Sequence, residues 1–465
     1  MSTGKIRVLT TNEPNEYIPI AYGNFRLEQE GIGACSGKGS LVLKLLPLPA
    51  YWFTLETDTN IIKDEPARLF GPLPQAVSVN VFQPVKNETG FKYSGFIPND
   101  AIDSGLTVGD PISKCDVVFF KIMNFPRYTG TLIEKGVVKS VSHPMSIQYK
   151  DSEAIEWQIV IMEAKNIEEI VRKLDGDAFG GYAITHIGIV KRRDGLSFEF
   201  RRSTHLLAPL RDLLTLIRGG WCYPLFITGF ENNKVVCQLL PEPRIMPWMK
   251  RFFWWRGFEE IPMNRMYAAL ANGFPDKGWY TRVNNAIGLY VDANHTINVQ
   301  MGIVGAQAAL ELLSWMYSDK FEASSSSYAE RFVDKGRKER VFKNLRADQR
   351  IRWMLEEVCR IPTAIPMEAS GVLDHYKSSM KSDENVDGPK IIAYIRNGII
   401  HPTAKDMKKG YEVSLPLLVD TLSLELRYIE LILLNLLEYD GSYMDRFSKK
   451  LLLVPWVKPT TSPQL

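Results

Sequence analysis

Histidine and cysteine are scarce, six and five among 465 residues, and their spacing removes whole classes of chemistry. The cysteines (Cys35, Cys115, Cys222, Cys237, Cys359) are scattered, odd in number and form no CxxC pair. That argues against a disulfide framework or a zinc site and fits the reduced thiols of a cytosolic protein. His143, His186, His205, His295 and His375 show no HExxH or paired-ligand spacing, so neither a metal nor a cofactor is expected. Long hydrophobic runs are also missing. No stretch approaches the roughly 20 apolar residues that span a bilayer. Leu41–Leu55 is broken by Lys44 and Pro47, and Ile429–Leu437 by Glu430. The opening MSTGKIRVLTTNEPNEY lacks the apolar core of a signal peptide, so a cytoplasmic location without a membrane partner is expected. An excess of one charge is absent as well. Lys and Arg number 56 against 53 Asp and Glu, a formal +3, so any nucleic-acid surface must be local.

What is present is an ordinary globular composition, 45% hydrophobic and 23% charged. A chain of 465 residues is too long for one ordinary core, so two or three domains are expected. Residues 1–244 read mainly as strands. Short apolar runs recur at Gly39–Leu43, Ala76–Val81, Asp116–Phe120 and Glu156–Ile161. Asn87-Glu88-Thr89-Gly90, Arg193-Asp194-Gly195 and Glu231-Asn232-Asn233 read as hairpin turns. The second of these predicts a hairpin joining Gly180–Thr185 to Phe198–Phe200. One helix is expected within this half, over Leu206–Ile217.

From about residue 245 the period becomes helical. An aromatic-rich junction is expected over 245–300 and a helical bundle over 301–465. The best helices are Asn284–His295, Ile303–Tyr317, Gln349–Val358, Pro389–Ile400 and Leu415–Glu438. The last has a broad apolar stripe, which suits a core helix of a bundle. The fold class is therefore α+β, a β-rich domain followed by helices.

The helix starting at Pro389 carries the chemistry. It reads Pro-Lys-Ile-Ile-Ala-Tyr-Ile-Arg-Asn-Gly-Ile-Ile-His-Pro. Pro389 suits a first turn, and Pro402 disfavours α geometry at His401, which places that histidine at the helix end. There it can serve as general acid or base. Asn397, four residues earlier, shares its face. Arg396, five earlier, lies roughly 140° around the axis. Guanidinium suits bidentate binding of phosphate oxygens and of charge developing on them. The spacing alone also admits a bland reading, in which Arg396 pairs within the bundle and His401 merely ends a helix.

Arg396-Asn397-Gly398-Ile399-Ile400-His401 resembles the HEPN superfamily motif, Arg, a polar residue, three variable positions, then His. Flanking stretches are similar to ApeA-like phage-defence proteins: Trp279-Tyr280 through Tyr290, Ala306–Trp315, and Tyr428–Tyr443. The β-rich half, with Gly219–Gly229, is loosely similar to their N-terminal domain. This resemblance implies a metal-independent endoribonuclease acting in antiphage defence. His401 would move protons, Arg396 would stabilise the phosphorane-like transition state, and Asn397 would orient groups. It also implies an RNA substrate, a homodimer or higher oligomer that forms the cleft, a phage-derived trigger, and an N-terminal domain that senses infection or restrains the nuclease.

Weaker signals have two readings each. Lys335, Arg337, Lys338, Arg340, Lys343, Arg346, Arg350 and Arg352 form either a strip guiding RNA phosphates or a solvated face balanced by Asp334, Glu339 and Asp348. Trp248, Phe252, Phe253, Trp254, Trp255 and Phe258 pack a junction core rather than stack bases. Gly33-Ala34-Cys35-Ser36-Gly37-Lys38-Gly39 fails as a phosphate loop, because the glycine spacing is one short, and reads as a turn. Glu311 is a candidate partner that would hold Arg396 in place. Against the nuclease stand a HEPN bundle that binds RNA or nucleotide without turnover, and an interaction protein whose bundle only dimerises.

Overall fold

Alternation of inward and outward residues organises the first strands. A computed structural model describes residues 13–60, 66–71, 77–82, 84–87, 90–97, 106–128, 130–134, 137–141, 144–176, 180–249, 252–255, 259–324, 332–333, 339–340, 345–380, 386–401 and 413–457. Strands β1 (Ile18–Gln29), β2 (Gly33–Lys44), β3 (Ala50–Thr57), β4 (Pro66–Phe70), β5 (Val77–Val81), β6 (Val85–Asn87) and β7 (Gly90–Phe96) form one antiparallel sheet. Its order is β3-β2-β1-β4-β5-β7, and β3 also pairs with β7, so six strands close into a barrel with β6 appended. In β3 every second side chain points inward: Tyr51, Phe53, Leu55 and Thr57 are buried. Phe25, Leu27, Leu41, Leu43, Leu69, Val79 and Tyr93 complete the interior.

The glycine-rich stretch at 33–39 is strand, not turn. It forms the start of β2, which pairs with β1 and β3. Space explains the glycines: a Cβ on Gly37 would lie 1.8 Å from the Glu56 carbonyl oxygen, and one on Gly39 2.3 Å from that of Thr54.

A second antiparallel sheet runs through β8 (Leu106–Gly109), β10 (Val117–Met123), β13 (Met145–Lys150), β14 (Glu156–Glu163), β15 (Ile184–Arg192), β17 (Pro224–Glu231) and β18 (Lys234–Leu240). Its order is β13-β14-β15-β10-β17-β18-β8. β17 and β18 turn through Asn232 and Asn233, both at positive φ (49° and 62°), as the Asn-Asn sequence predicts. The hairpin expected at Arg193-Asp194-Gly195 does not form. Both edges of β15 are occupied, by β14 and β10. The two-residue strand β16 (Phe198–Glu199) pairs instead with β9 (Lys114–Cys115) and leads into a helix. Between these sheet strands the chain forms the small hairpin β11 (Gly130–Glu134) and β12 (Val137–Val141) and helix α1 (Ile167–Gly176). Helix α2 (Phe200–Arg218) contains the predicted helical stretch.

Helical spacing then takes over: α3 (Glu260–Gly273), α4 (Lys277–His295), α5 (Val299–Ser324), α6 (Ala347–Trp353), α7 (Ser370–Met380), α8 (Gly388–Ile400) and α9 (Leu415–Leu436). The helix expected over Gln349–Val358 is α6 followed by a π-helical turn at Met354–Val358. Such turns are uncommon and concentrate at functional sites. Strands β19 (Phe332–Val333) with β20 (Glu339–Arg340), and β21 (Ser442–Met444) with β22 (Leu451–Leu453), form two short hairpins. The observed class is mixed α+β, a β-rich N-terminal region and helices in the C-terminal half.

The chain divides into two compact units, each built from separated segments. The first comprises Met1–Arg127, His143–Arg211 and Trp221–Lys250. The second comprises Tyr128–Ser142, Asp212–Gly220 and Arg251–Leu465. The 245–300 stretch therefore contributes α3 and α4 to the second unit. Trp254 and Trp255 are buried there, and Trp248 packs on Ile170 and Leu174 in the first unit. Trp254 and Trp255 thus leave no face for a base, Trp248 is half-buried, and Phe258 lies outside the described residues. Within the second unit Asp212 accepts hydrogen bonds from Tyr280 and, at 3.0 Å, from Asn284 Nδ2. The Trp254 indole donates to the Leu216 carbonyl at 2.9 Å.

Candidate active site at the end of helix α8

The start of α8 is fixed by three independent contacts. Asp387 caps the helix and accepts from the Lys390 backbone N–H at 3.2 Å. The same carboxylate receives the Arg352 guanidinium, through Nη2 at 2.9 Å and through Nε. The Gly388 backbone N–H and the Tyr428 hydroxyl both donate to the Thr363 carbonyl, at 2.9 and 3.1 Å. A Cβ on residue 388 would sit 2.2 Å from that hydroxyl, so only glycine fits. Ile391, Ile392 and Ile395 bury the inner face.

Thus anchored, α8 delivers the motif at its free end. His401 is the C-terminal cap, its φ and ψ of −127° and 58° leaving the helix as the following proline predicts, and its N–H donates to the Asn397 carbonyl at 2.8 Å. Arg396 Nη1 donates to Asn397 Oδ1 at 3.1 Å. Asn397 and His401 are exposed, and Arg396 is half-buried. Guanidinium, amide and helix-end imidazole thus stand on the last turn and a half, two of the three in open solvent. Pro402 and the residues up to 412 lie outside the described residues.

The carboxylate associated with Arg396 is Glu425 of α9, not Glu311. Glu311 lies on α5, where it accepts from Gln307 at 3.2 Å and sits 3.8 Å from Arg350. Glu425 is wholly buried, and neither carboxylate oxygen has a hydrogen-bond partner. Burial pushes its carboxyl well above the ordinary range, and the Arg396 charge acts against that push. Arg396 Nε is likewise buried and without a partner. Other acids near the core are paired. Glu430, also on α9, takes Arg446 at 2.7 and 3.0 Å and the Tyr290 hydroxyl at 2.7 Å. Asp445 takes Arg427 at 2.6 Å. Sequence reasoning missed Glu425, although a signal existed: it falls on the stripe Leu418, Thr421, Glu425, Tyr428, Ile432, at a position where a helix of this kind carries an apolar residue.

Of the proposed basic strip, Lys335, Arg337, Lys338 and Lys343 lie outside the described residues, and Arg340 is on β20. Its C-terminal members are engaged in the fold. Arg346 forms a two-point pair with Asp348, each bond 3.1 Å. Arg350 is buried against Trp315 and donates to the Leu345 carbonyl. Arg352 holds the α8 cap. Among the described residues no cluster of three or more His, Cys, Asp or Glu could hold a metal ion. All five cysteines are free and buried, and burial pushes the Cys115 and Cys359 thiols up to about 12, far from thiolate chemistry. Among the described residues no helix is long and apolar enough to cross a membrane.

Two family models match the chain. Residues 110–251 match the YopA central domain and residues 276–456 the YopA C-terminal domain. The first match covers strands of the second sheet, the second spans α4 to β22 and includes both Arg396–His401 and Glu425, and the barrel precedes both. The chain is similar to the SPbeta prophage-derived uncharacterized protein YopA of Bacillus subtilis (strain 168), 25% identical over 389 residues, 78% of this chain and 80% of that protein. No solved structure matches.

Proposed function

We propose that this chain is a metal-independent endoribonuclease of the HEPN type that acts in antiphage defence by cleaving RNA on infection. The observation that carries the proposal is the end of α8. An imidazole and an amide stand exposed there, and Arg396 reaches the amide, while Arg352 on α6 and Arg427 on α9 are held in ion pairs. The fold spends Arg352, Arg427 and Arg446 on structure; it leaves the α8 motif facing solvent.

The chemistry follows from these groups. The ribose 2′-oxygen attacks the adjacent phosphorus as its proton passes to a base, the bond to the 5′-oxygen breaks, and that oxygen takes a proton. A neutral His401 performs the first transfer and a protonated one the second. Arg396 stabilises charge on the non-bridging oxygens, and Asn397 orients groups by hydrogen bonding. The products are a 2′,3′-cyclic phosphate and a 5′-hydroxyl. Two copies of the motif, brought together in a homodimer, supply acid and base at once. The prophage origin of the Bacillus relative lends support to a phage-related role.

Purified full-length protein and its His401→Ala and Arg396→Ala variants, incubated with RNA in excess EDTA, test the reading. Wild type is expected to cleave with EDTA present, and each variant to lose on the order of 100-fold or more in rate while keeping its circular dichroism. Full activity in either variant defeats the assignment. Intact RNA with wild-type protein, in cells both uninfected and infected, would instead favour a bundle that binds without turnover.

A further inference from the structure

Three polar atoms are buried without partners on the packed helices α8 and α9, both oxygens of Glu425 and Arg396 Nε, and the Arg396 charge acts on the Glu425 carboxyl. Buried polar groups are nearly always hydrogen-bonded, because desolvation is otherwise uncompensated. The same helix shows that this fold closes such pairs when structure alone is at stake, as in Glu430 with Arg446. Glu425 occupies a core position on the stripe of Leu418, Thr421 and Tyr428, where leucine would be the default. Arg396 stands one helical turn beyond buried Ile392, with its stem toward the core and Nη1 directed outward to Asn397. The guanidinium therefore has an inner edge within electrostatic reach of a buried carboxylate and an outer edge at the exposed motif.

We propose that Glu425 is the positioning residue for Arg396: it takes the inner, Nε edge of the guanidinium and so presents the outer nitrogens to the phosphate. This rests on the nuclease reading above. Without substrate the pair is open, and Arg396 leans on Asn397. When a phosphodiester draws the outer nitrogens, the inner edge closes on Glu425, Asn397 is released to the ribose, and the arginine is held for transition-state charge. Glu425 touches neither substrate nor reacting atoms, so its loss is expected in turnover rather than in substrate binding.

Glu425→Gln preserves volume and removes the ionisable carboxyl; Glu425→Asp keeps one. In the full-length chain, Glu425→Gln is expected to lower kcat about tenfold or more with KM within about twofold, and Glu425→Asp to retain more activity than Glu425→Gln. Thermal unfolding of each variant reports folding. The Nε–Hε resonance of Arg396, assigned by its disappearance in Arg396→Lys and recorded with an uncleavable 2′-deoxy oligonucleotide bound, is expected to shift in Glu425→Gln. If Arg396→Ala is inactive but Glu425→Gln keeps wild-type kcat, the positioning role is overturned and the nuclease stands. If Arg396→Ala is fully active, the nuclease and the positioning role fall together. An Arg396 resonance unmoved by Glu425→Gln overturns the contact whether or not RNA is cleaved.

Discussion

Glu425 and Glu430 sit five residues apart on one helix and have opposite energetics. Glu430 is held by two bonds from Arg446 and one from Tyr290, and Arg446 also reaches Asn294 Oδ1 at 2.8 Å. Removing one member leaves a buried guanidinium unpaired, so Glu430→Ala is expected to cost about 3–5 kcal/mol, read as a lowered urea midpoint. Glu425→Leu removes a carboxylate without partners and is expected to raise that midpoint. The pH dependence has a definite sign. The Glu425 carboxyl is raised in the folded chain above its ordinary 4.5, so on folding it binds more protons than the unfolded chain does. Its contribution to stability falls as pH rises above about 4.5, towards the folded value. The stability gained by Glu425→Gln over wild type is therefore expected to be larger at pH 7 than at pH 4.5, and an equal gain at both would refute the burial argument. At this scale the motif was legible, because Arg396, Asn397, His401 and Pro402 are neighbours in sequence. Glu425 was missed, since one acid in a long apolar helix looks like a solvent-facing interruption unless its place on the buried stripe is counted.

Helix α8 depends on its first turn to place its last. Asp387→Ala removes the cap, worth about 1 kcal/mol, and leaves Arg352 with its remaining partner, Asp348, 3.9 Å away. Gly388→Ala drives a methyl into the Tyr428 hydroxyl. Both variants are expected to unfold at lower temperature by several degrees, and to lose RNA cleavage in proportion to the displacement of α8. Wild-type cleavage by Gly388→Ala would show that the motif does not need this anchor. Helices α4, α5, α8 and α9 were legible because their apolar spacing repeats over three or more turns. The π turn after α6 was not, because it keeps a helical pattern while shifting register. The false hairpin at 193–195 has the same origin: Asp194 and Gly195 do turn the chain, yet a turn does not choose the strand that follows.

Segment exchange dominates the whole molecule. Residues 212–220 belong to the second unit although the chain around them belongs to the first. They supply Asp212 to Tyr280 and Asn284, the Leu216 carbonyl to Trp254, and the Gly219 carbonyl to Asn294 at 2.9 Å. A fragment of residues 251–465 would leave these donors buried without acceptors. It is expected to show less helix per residue by circular dichroism than the intact chain, and to cleave RNA poorly. A fully folded, active fragment would contradict this account of the second unit.

Residue order alone determined the α+β class, most helix positions, the Asn232-Asn233 turn, a strand-rich first half, and a helix end carrying arginine, asparagine and histidine. These are local properties, set by side-chain period and by the φ that proline, glycine and asparagine allow. Tertiary structure decided that β3 returns to β7 to close the barrel, that the glycines at 37 and 39 lie under neighbouring strands, that Arg352 serves a cap, and that Glu425 rather than Glu311 lies within reach of Arg396. Each of these joins residues distant in the chain, and the interactions that select such partners (packing, desolvation and charge) act only after the chain has brought them together.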